Sequence, residues 1–204
     1  MLIDDDLRLT KTSVGPMDNN AYLLTVGDDA LLIDAAAEAD VLLNQVQGLN
    51  LVGVVTTHRH HDHIGALAEV IAATGAQAYA GRPDAAAITE ATGVGCREVW
   101  DGDEIELGPV RLQVIGLVGH TPGSITLALS PADGPVRLFT GDSLFPGGVG
   151  KTWRPGDFVT LLADVEAKLF EPYGDDTIVH PGHGADTTLG AERPHLDEWR
   201  ARGW

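Results

Sequence analysis

The chain has few cations, a single cysteine and no long apolar run, and each of these shortages excludes a class of protein. Only 13 of its 204 residues are Lys or Arg against 30 Asp or Glu, which gives a formal charge of −17. Phosphate recognition needs clustered Lys and Arg, so this balance argues against a nucleic-acid binder. Cys96 has no second cysteine with which to form a disulfide or a cysteine-rich zinc knuckle. The longest apolar runs, such as residues 51–55, are far too short to span a bilayer.

The remaining composition is typical of a globular protein. Apolar residues make up 44% and charged residues 21% of the chain, and its length fits one domain with a sizeable core. The N-terminal sequence MLIDDDLRL has acids where a secretory signal needs cations. We therefore expect a soluble, cytoplasmic protein with one domain over residues 1–204. We expect it to be a monomer or homodimer that acts on a small molecule and binds neither nucleic acid nor membrane.

The hydrophobic pattern predicts many strands, with helices interspersed in both halves of the chain. A Gly27-Asp28 pair between two apolar runs indicates a hairpin, and LVGVVT at 51–56 is typical of a strand buried on both faces. The predicted strands are 20–26, 30–33, 51–56, 77–80, 98–100, 104–107, 110–115, 125–129, 136–140 and 177–179. The predicted helices are 40–47, 66–73, 83–89, 157–170 and 193–202. Strict β-α-β alternation is absent, which favours a mixed α/β sandwich over a doubly wound sheet.

A histidine-rich segment directly follows the buried strand at 51–56. Residues 58–63 read HRHHDH, with four histidines and an aspartate in six positions. A packed core rejects so many imidazoles, and a solvated loop has no need of them. Alternate residues of extended chain share a face, so His58 and His60 can turn toward one point, with Asp62 and His63 just beyond. The segment therefore indicates a metal site, and the alternative is an accidental histidine-rich loop.

Three later segments have the same form: a predicted strand is followed by a glycine-rich turn that contains one further residue able to bind a metal. They are GHTPGS at 119–124, GDSLF at 141–145 and PGHG at 181–184. Small residues allow the backbone to pass close to a metal and leave room for a substrate. Together with His58, His60, Asp62 and His63 they supply five histidines and two aspartates, and His61 is left out of this set.

The motif H-x-H-x-D-H, followed in order by His120, Asp142 and His183, resembles the metallo-β-lactamase-fold hydrolases. GHTPGS, GDSLF and PGHG are most similar to the glyoxalase II (hydroxyacylglutathione hydrolase) branch of that superfamily. The resemblance runs from about residue 19 to the C-terminus. It implies an α/β fold of the α+β type, a four-layer αβ/βα sandwich with a dinuclear site at one edge of the sheets.

The resemblance also implies the ligand set. One ion would take His58, His60 and His120, the other Asp62, His63 and His183, with Asp142 bridging the two. Imidazole and carboxylate without thiolate suit two divalent ions, Zn²⁺ first and Fe or Mn as alternatives. Two ions about 3.5–4 Å apart can hold a bridging hydroxide and polarise a carbonyl oxygen. Asp142 as the bridge and Asp62 as a group that orients the hydroxide are the predicted catalytic residues.

Three residues near the expected centre have two interpretations each. Asp34 matches the family's aspartate that hydrogen-bonds around the metal loop, and an ordinary strand-ending turn aspartate is the alternative. Lys151 lies in a Gly-x-Gly-Lys loop that is similar to one contacting glutathione in glyoxalase II, so it is a candidate for holding a substrate carboxylate. Trp153 is a candidate lining residue of the same pocket. The alternatives are a solvated lysine and a tryptophan that only packs.

The resemblance favours hydrolysis of a thioester, an S-acyl conjugate of a small thiol, because thiolate leaves with little help from a general acid. Full-length glyoxalase II enzymes carry a C-terminal helical domain that binds glutathione, whereas only 21 residues follow His183 here, so we expect that domain to be absent. A persulfide dioxygenase with one iron on His58, His120 and Asp142 is the main alternative, and a lactonase is a third. A nuclease is disfavoured by the acidic composition.

Overall fold

Two six-stranded sheets lie face to face, and helices cover the outer face of each sheet. This arrangement is seen in a computed structural model that describes residues 1–3 and 6–203. It confirms the predicted mixed α/β class and the four-layer sandwich. The predicted domain bounds of 1–204 stay a prediction, and residues 4, 5 and 204 lie outside the described residues.

The first sheet is built from the strands of the N-terminal half, in the order in which they occur along the chain. β1 to β3 pair antiparallel, and β3 to β6 pair parallel. These strands are β1 (Leu7–Val14), β2 (Asn19–Val26), β3 (Asp29–Ile33), β4 (Asn50–Thr56), β5 (Gln77–Gly81) and β6 (Arg97–Val99).

The second sheet is built from the C-terminal half and runs in the spatial order β14-β13-β10-β9-β8-β7. Only β10 and β13 pair parallel in it. Its strands are β7 (Glu104–Leu107), β8 (Val110–Leu117), β9 (Ser124–Leu129), β10 (Arg137–Gly141), β13 (Ile178–Pro181) and β14 (Thr187–Thr188). A small separate hairpin joins β11 (Leu144–Phe145) and β12 (Gly148–Val149).

The helices are short and divide between the two outer faces. They are α1 (Ala39–Gln45), α2 (His61–Ile64), α3 (Leu67–Thr74), α4 (Arg82–Thr92), α5 (Asp157–Val165), α6 (Leu189–Glu192) and α7 (Leu196–Arg202). A π-helical turn, Glu166–Phe170, continues α5, and a 3-10 turn, Arg193–His195, precedes α7. No helix within residues 1–3 and 6–203 has the length and apolar character needed to cross a membrane.

The central strands are apolar on both faces because each sheet packs against helices on one face and against the other sheet on the opposite face. In β4, Val54 packs toward the helical layer, and its neighbour Val55 packs between the sheets. In β9, Leu127 lies between the sheets, and the next residue, Ala128, faces α5 and α7. Successive strand residues point to opposite faces, so continuous apolar segments suit a strand buried on both sides.

Most differences from the sequence-based boundaries are shifts by one to three residues. The strand predicted at 98–100 is Arg97–Val99. The helix predicted at 157–170 changes to π-helical hydrogen bonding after Val165, with the Glu171 amide donating to the Glu166 carbonyl at 2.9 Å. β1 was not predicted at all, because this edge strand buries only three of its eight residues.

Truncating an inter-sheet side chain tests this packing. Leu127 is fully buried between the sheets. We expect Leu127→Ala to lower the free energy of unfolding by about 2–5 kcal/mol, because it removes apolar contacts and leaves a cavity. Urea-induced unfolding followed by circular dichroism measures this. Val159→Ala, at a position 69% exposed on α5, is the control, and equal losses for the two variants would contradict the layer assignment.

Candidate metal centre

The seven predicted metal ligands meet where strands of both sheets end. Three of them follow strands of the second sheet: His120 lies between β8 and β9, Asp142 directly follows β10, and His183 follows β13. The first sheet supplies the other four through the segment after β4, which turns into α2: His58, His60, Asp62 and His63. The fold therefore brings together residues that are up to 125 positions apart in the chain, the difference between 183 and 58.

One group of ligands gathers around His58. The His58 Nε2 atom lies 3.0 Å from His60 Nδ1 and 3.3 Å from His120 Nε2. Asp142 Oδ2 is 3.6 Å from His120 Nε2 and 4.0 Å from His58 Nε2. Ligands at about 2.0–2.1 Å from a tetrahedral Zn²⁺ are roughly 3.3 Å from one another, so these spacings fit a shared ion.

A second group gathers around His63 and His183. The Nε2 atoms of these two residues are 3.2 Å apart. Asp62 Oδ2 is 3.2 Å from His183 Nε2 and 3.6 Å from His63 Nε2. Asp142 also reaches this group, with Oδ1 at 3.3 Å from His63 Nε2 and Oδ2 at 3.5 Å from His183 Nε2. One carboxylate thus contacts both groups.

Three of the imidazoles form a hydrogen bond through the ring nitrogen that faces away from the other predicted ligands. These hydrogen bonds show why a cation fits between the rings. Nδ1 of His120 donates to the Lys151 carbonyl at 2.7 Å, and Nδ1 of His183 donates to the Met17 carbonyl at 2.8 Å. His63 Nδ1 lies 2.8 Å from an Asp34 oxygen. A neutral imidazole that donates through Nδ1 carries a lone pair on Nε2. Lone pairs of neighbouring rings therefore face each other across about 3.3 Å, which requires a proton or a metal ion between them.

The electrostatics of the histidines favour the same conclusion. Burial lowers the pKa of His58 well below its usual value and lowers the pKa of His60 to about 4. Burial also acts to lower the pKa of His63, but the Asp34 and Asp142 carboxylates outweigh it and raise that pKa to about 10. His58 and His60 are thus in the neutral form that binds metal, and at His63 the carboxylates favour a positive charge that a bound cation supplies in place of the proton.

Both predicted catalytic aspartates are ionised at neutral pH. Burial acts to raise the pKa of Asp142, but the imidazoles of His183 and His63 outweigh it and hold the pKa well below its usual value. For Asp62 the raising effect of burial is outweighed by the Asn19 hydrogen bond and by His63, so its pKa is lowered as well. Ionised carboxylates are the form that ligates metal.

Asp34 fixes the loop that carries the first ligands. It follows β3 with a φ of 59° and is buried. Its carboxylate accepts hydrogen bonds of 2.7 Å from both the amide and the hydroxyl of Thr57, and it also binds His63. Of the two sequence interpretations, the contacts of this carboxylate match the one in which it hydrogen-bonds around the metal loop.

Asn19 is a residue of the centre that the sequence analysis missed. It is buried at the start of β2, and its Nδ2 atom donates to Asp62 Oδ2 at 3.0 Å. The same atom lies 3.4 Å from His183 Nε2 and 3.5 Å from His63 Nε2. Asn19 therefore holds a predicted ligand in position. The pair of asparagines at the start of an otherwise apolar strand was the available signal.

Position 182 requires glycine because the backbone there passes close to His63 and Asp142, two of the predicted ligands. A Cβ atom on Gly182 would lie 2.7 Å from His63 Cε1 and would clash with Asp142 Oδ1. Any larger residue at this position would therefore displace two predicted ligands. This explains in physical terms why a glycine-rich turn presents His183.

A cleft of about 650 Å³ opens beside the His58 group. His60 and His120 lie on its wall, together with Trp153, whose ring centre is 6.2 Å from that of His60. Trp153 is 61% exposed, and the Lys151 ammonium lies 4.5 Å from its ring centre. The structure thus places Trp153 on the cleft and Lys151 over its ring. Their proposed contacts with substrate stay predictions.

The remaining histidines and the cysteine lie outside both ligand groups. The His61 side chain is 91% exposed, and His195 is exposed beside Glu198. His180 is buried, with Nδ1 at 2.9 Å from Asp186 and Nε2 at 3.2 Å from an Arg137 nitrogen. Burial raises the pKa of the Cys96 thiol, which keeps it protonated and unreactive.

The sequence and fold together define the class of protein. Residues 14–183 match the sequence profile of the metallo-beta-lactamase superfamily, and the chain belongs to that superfamily. It is 32% identical to the hydroxyacylglutathione hydrolase GloC of Haemophilus influenzae, over 81% of this chain and 84% of that protein. A hydroxyacylglutathione hydrolase of Polaromonas sp. is 40% identical, and there the match covers 81% of this chain and 62% of the other.

Solved structures of several kinds share the fold. The BLEG-1 B3 metallo-beta-lactamase superposes with a TM-score of 0.80 and 27% identity, over 93% of this chain and 98% of that one. TTHA1623 in a di-iron-bound form superposes with a TM-score of 0.73 and 34% identity, over 90% of this chain and 96% of that one. ETHE1 from Myxococcus xanthus superposes with a TM-score of 0.77 and 29% identity, over 93% of this chain and 83% of that one. The fold with its histidine and aspartate cluster implies divalent metal ions.

The role of Asp34 is testable by metal binding. Asp34→Asn keeps the size of the side chain but places an amide group against the donors of Thr57 and His63. We expect metal affinity to fall by about 10- to 100-fold, as is usual when a group that orients ligands is lost. Titration against a competing chelator measures the affinity, with Asp40→Asn on the exposed surface of α1 as the control. Unchanged affinity in Asp34→Asn would contradict the role.

Proposed function

We propose that this protein is a dinuclear metal-dependent hydrolase of thioesters. The observation that supports the proposal is the presence of two groups of close histidine and aspartate side chains, with Asp142 near members of both. One ion would be held by His58, His60 and His120, the other by Asp62, His63 and His183, with Asp142 between them. The absence of thiolate and the mixed imidazole and carboxylate donors suit Zn²⁺, Fe or Mn.

Divalent ions bound at this position would activate a water molecule and polarise the carbonyl group of a substrate. The chain itself positions the reactants. We assign the orientation of the attacking water to Asp62, which is ionised and accepts a hydrogen bond from the Asn19 amide. The oxygen of that water forms a bond to the acyl carbon, the carbon–sulfur bond breaks, and sulfur keeps the electron pair. The products are a carboxylate and a thiol, with the proton balance completed by solvent.

The leaving group supports a thioester over an amide. A thiolate can leave without being protonated first, whereas an amine needs a general acid. On the cleft wall, His60 and His120 both have a lowered pKa, caused first by burial, which disfavours the imidazolium form that a general acid needs at neutral pH. The two hydroxyacylglutathione hydrolases among the relatives support the same class of substrate.

The main alternative, a persulfide dioxygenase with a single iron on His58, His120 and Asp142, uses atoms that also lie within 4.0 Å of one another. It leaves the Asp62, His63 and His183 group without a role. A lactonase would use both groups, as the thioester hydrolase does, and differs only in the leaving group. These reactions are therefore separated by their products.

Metal-loaded protein is expected to release free thiol from S-lactoyl thioesters, detected with a thiol-reactive chromophore. Chelation should abolish turnover, and added Zn²⁺, Fe²⁺ or Mn²⁺ should restore it. Loss of the bridging carboxylate in Asp142→Ala is expected to lower kcat by at least about 100-fold, since both ions lose a ligand. No thiol release across a panel of such esters, with two ions bound per chain, would exclude this substrate class.

His183→Ala separates the two-metal reaction from the one-metal alternative, because only the second ligand group is damaged. We expect bound metal to fall from two ions to one per chain, measured by elemental analysis, and thioester hydrolysis to fall with it. The control is His195→Ala, which removes an exposed imidazole away from the centre. Oxygen uptake with a thiol persulfide that survives His183→Ala would favour the dioxygenase.

A further inference from the structure

The cleft beside the metal centre concentrates cations in a protein that has few of them. The net charge is −17, with 13 Lys and Arg in all. Two of these, Arg59 and Arg154, line the cleft, and the Lys151 ammonium lies 4.5 Å from the ring centre of Trp153, which is also a lining residue. Two cations therefore line this cleft, and a third lies next to one of its aromatic residues.

Two of the three cations are not neutralised by acids, in contrast to cations elsewhere on the surface. Arg111 pairs with Glu104 at 3.0 Å, and Arg200 pairs with Glu166 at 2.6 Å. Within residues 1–3 and 6–203, neither Arg154 nor Lys151 has a carboxylate oxygen within 4.0 Å of its side-chain nitrogens. Their charge is therefore available to a ligand.

Arg59 is held in place by a buried carboxylate. Asp84, in the first turn of α4, is fully buried. Its Oδ2 atom accepts hydrogen bonds from the Arg59 amide at 3.1 Å and from the Thr121 hydroxyl at 2.6 Å, and its Oδ1 atom lies 3.7 Å from Arg59 Nε. The Nε side of the guanidinium thus faces Asp84, and the side chain is still 39% exposed. Asp84 therefore holds the Arg59 backbone by a hydrogen bond and the guanidinium by an ion pair alone, which leaves the other guanidinium nitrogens for a ligand.

Arg154 belongs to a turn that precedes α5. Its amide donates to Asp157 Oδ2 at 3.0 Å, and its carbonyl accepts from the Asp157 amide at 3.1 Å. Asp157 also lines the cleft and opposes binding of an anion. Asp157 contributes one negative charge, whereas Arg154 and Lys151 contribute two positive charges. The positive charge of Arg59 is partly neutralised by Asp84.

We propose that Arg59 and Arg154 form a carboxylate-binding subsite that selects anionic thioesters, namely those whose thiol portion carries a carboxylate group. The subsite shares its wall with His60 and His120, so a substrate anchored there has its carbonyl group next to the ligand groups. Guanidinium groups bind carboxylates through paired charge-assisted hydrogen bonds. The acidic surface repels anions at a distance, so a local pair of cations is what allows such a substrate to bind. The kinetic part of this inference rests on the proposed thioester hydrolysis.

Two substrates that differ only in one carboxylate test the subsite. S-lactoyl-N-acetylcysteine carries the carboxylate, and S-lactoyl-N-acetylcysteamine lacks it. We expect kcat/KM to be higher for the first substrate. Arg154→Gln should lower that value by roughly tenfold, the usual effect of losing one charge-assisted hydrogen bond. The readout is the ratio of the two kcat/KM values, which should fall in Arg154→Gln because the neutral substrate lacks the carboxylate that Arg154 would bind.

Two further variants complete the kinetic design. Arg59→Gln should act in the same direction as Arg154→Gln, although the loss of its pairing with buried Asp84 also affects the loop. Arg154, exposed and unpaired with any described acid, is therefore the decisive position, and Arg154→Lys should recover part of the preference. Arg111→Gln on the β7–β8 hairpin is the matched control for the loss of one positive charge. Equal kcat/KM values for the two substrates in the unmodified enzyme would overturn the proposal, as would a preference that Arg154→Gln leaves intact.

A binding measurement separates failure of the subsite from failure of the proposed function. N-acetyl-S-methylcysteine and N-acetyl-S-methylcysteamine cannot be hydrolysed, and their affinity for the metal-loaded protein is measured by NMR titration. Tighter binding of the first compound, lost in Arg154→Gln, would support the subsite even if no thioester were hydrolysed. Hydrolysis of both thioesters together with equal binding of both methylated compounds would exclude the subsite and leave the proposed function standing.

Discussion

The centre depends on one electrostatic constraint, the need for positive charge between imidazole lone pairs and carboxylates that are packed about 3.3 Å apart. Three of the rings are oriented by a hydrogen bond on the nitrogen that faces away from the cluster: His120 by the Lys151 carbonyl, His183 by the Met17 carbonyl and His63 by Asp34. Without a cation or protons this arrangement would be repulsive. The buried Asp34 and the close passage of Gly182 both serve to hold that otherwise unfavourable geometry.

The candidate ligands that meet in the structure could be picked out in the sequence because their signal is local. His58, His60, Asp62 and His63 lie within one short segment, and glycine-rich turns mark the positions of the others. The mixed α/β sandwich was predicted from strands that read as continuous apolar runs, and its four layers from the resemblance to the metallo-β-lactamase fold. β1 was missed because an edge strand with one polar face has a weak hydrophobic pattern. The π-helical turn after α5 keeps the apolar spacing of an α-helix, so sequence alone does not distinguish the two.

The residues that support the ligands could not be found in the same way, since their roles arise from contacts across the fold. Asn19 meets Asp62 from 43 positions away, and Asp84 meets Thr121 from 37. Neither residue stands in a motif, and a lone Asn or Asp in a sequence usually marks a turn or a cap. Arg59 and Arg154 read as ordinary surface cations until the cleft between them is seen. Burial and long-range pairing reveal Asn19 and Asp84, and a shared cleft reveals Arg59 and Arg154; these are properties of the folded chain.

The division of the ligands between the sheets has a consequence for how the two halves of the molecule stay together. Four ligands belong to the half that forms the first sheet, and three belong to the half that forms the second. A metal ion bound by residues from both halves would connect the two sheets. Its binding free energy would then add to the free energy of unfolding. Resistance to unfolding would then follow the metal supply of the surroundings, in addition to the apolar packing between the sheets.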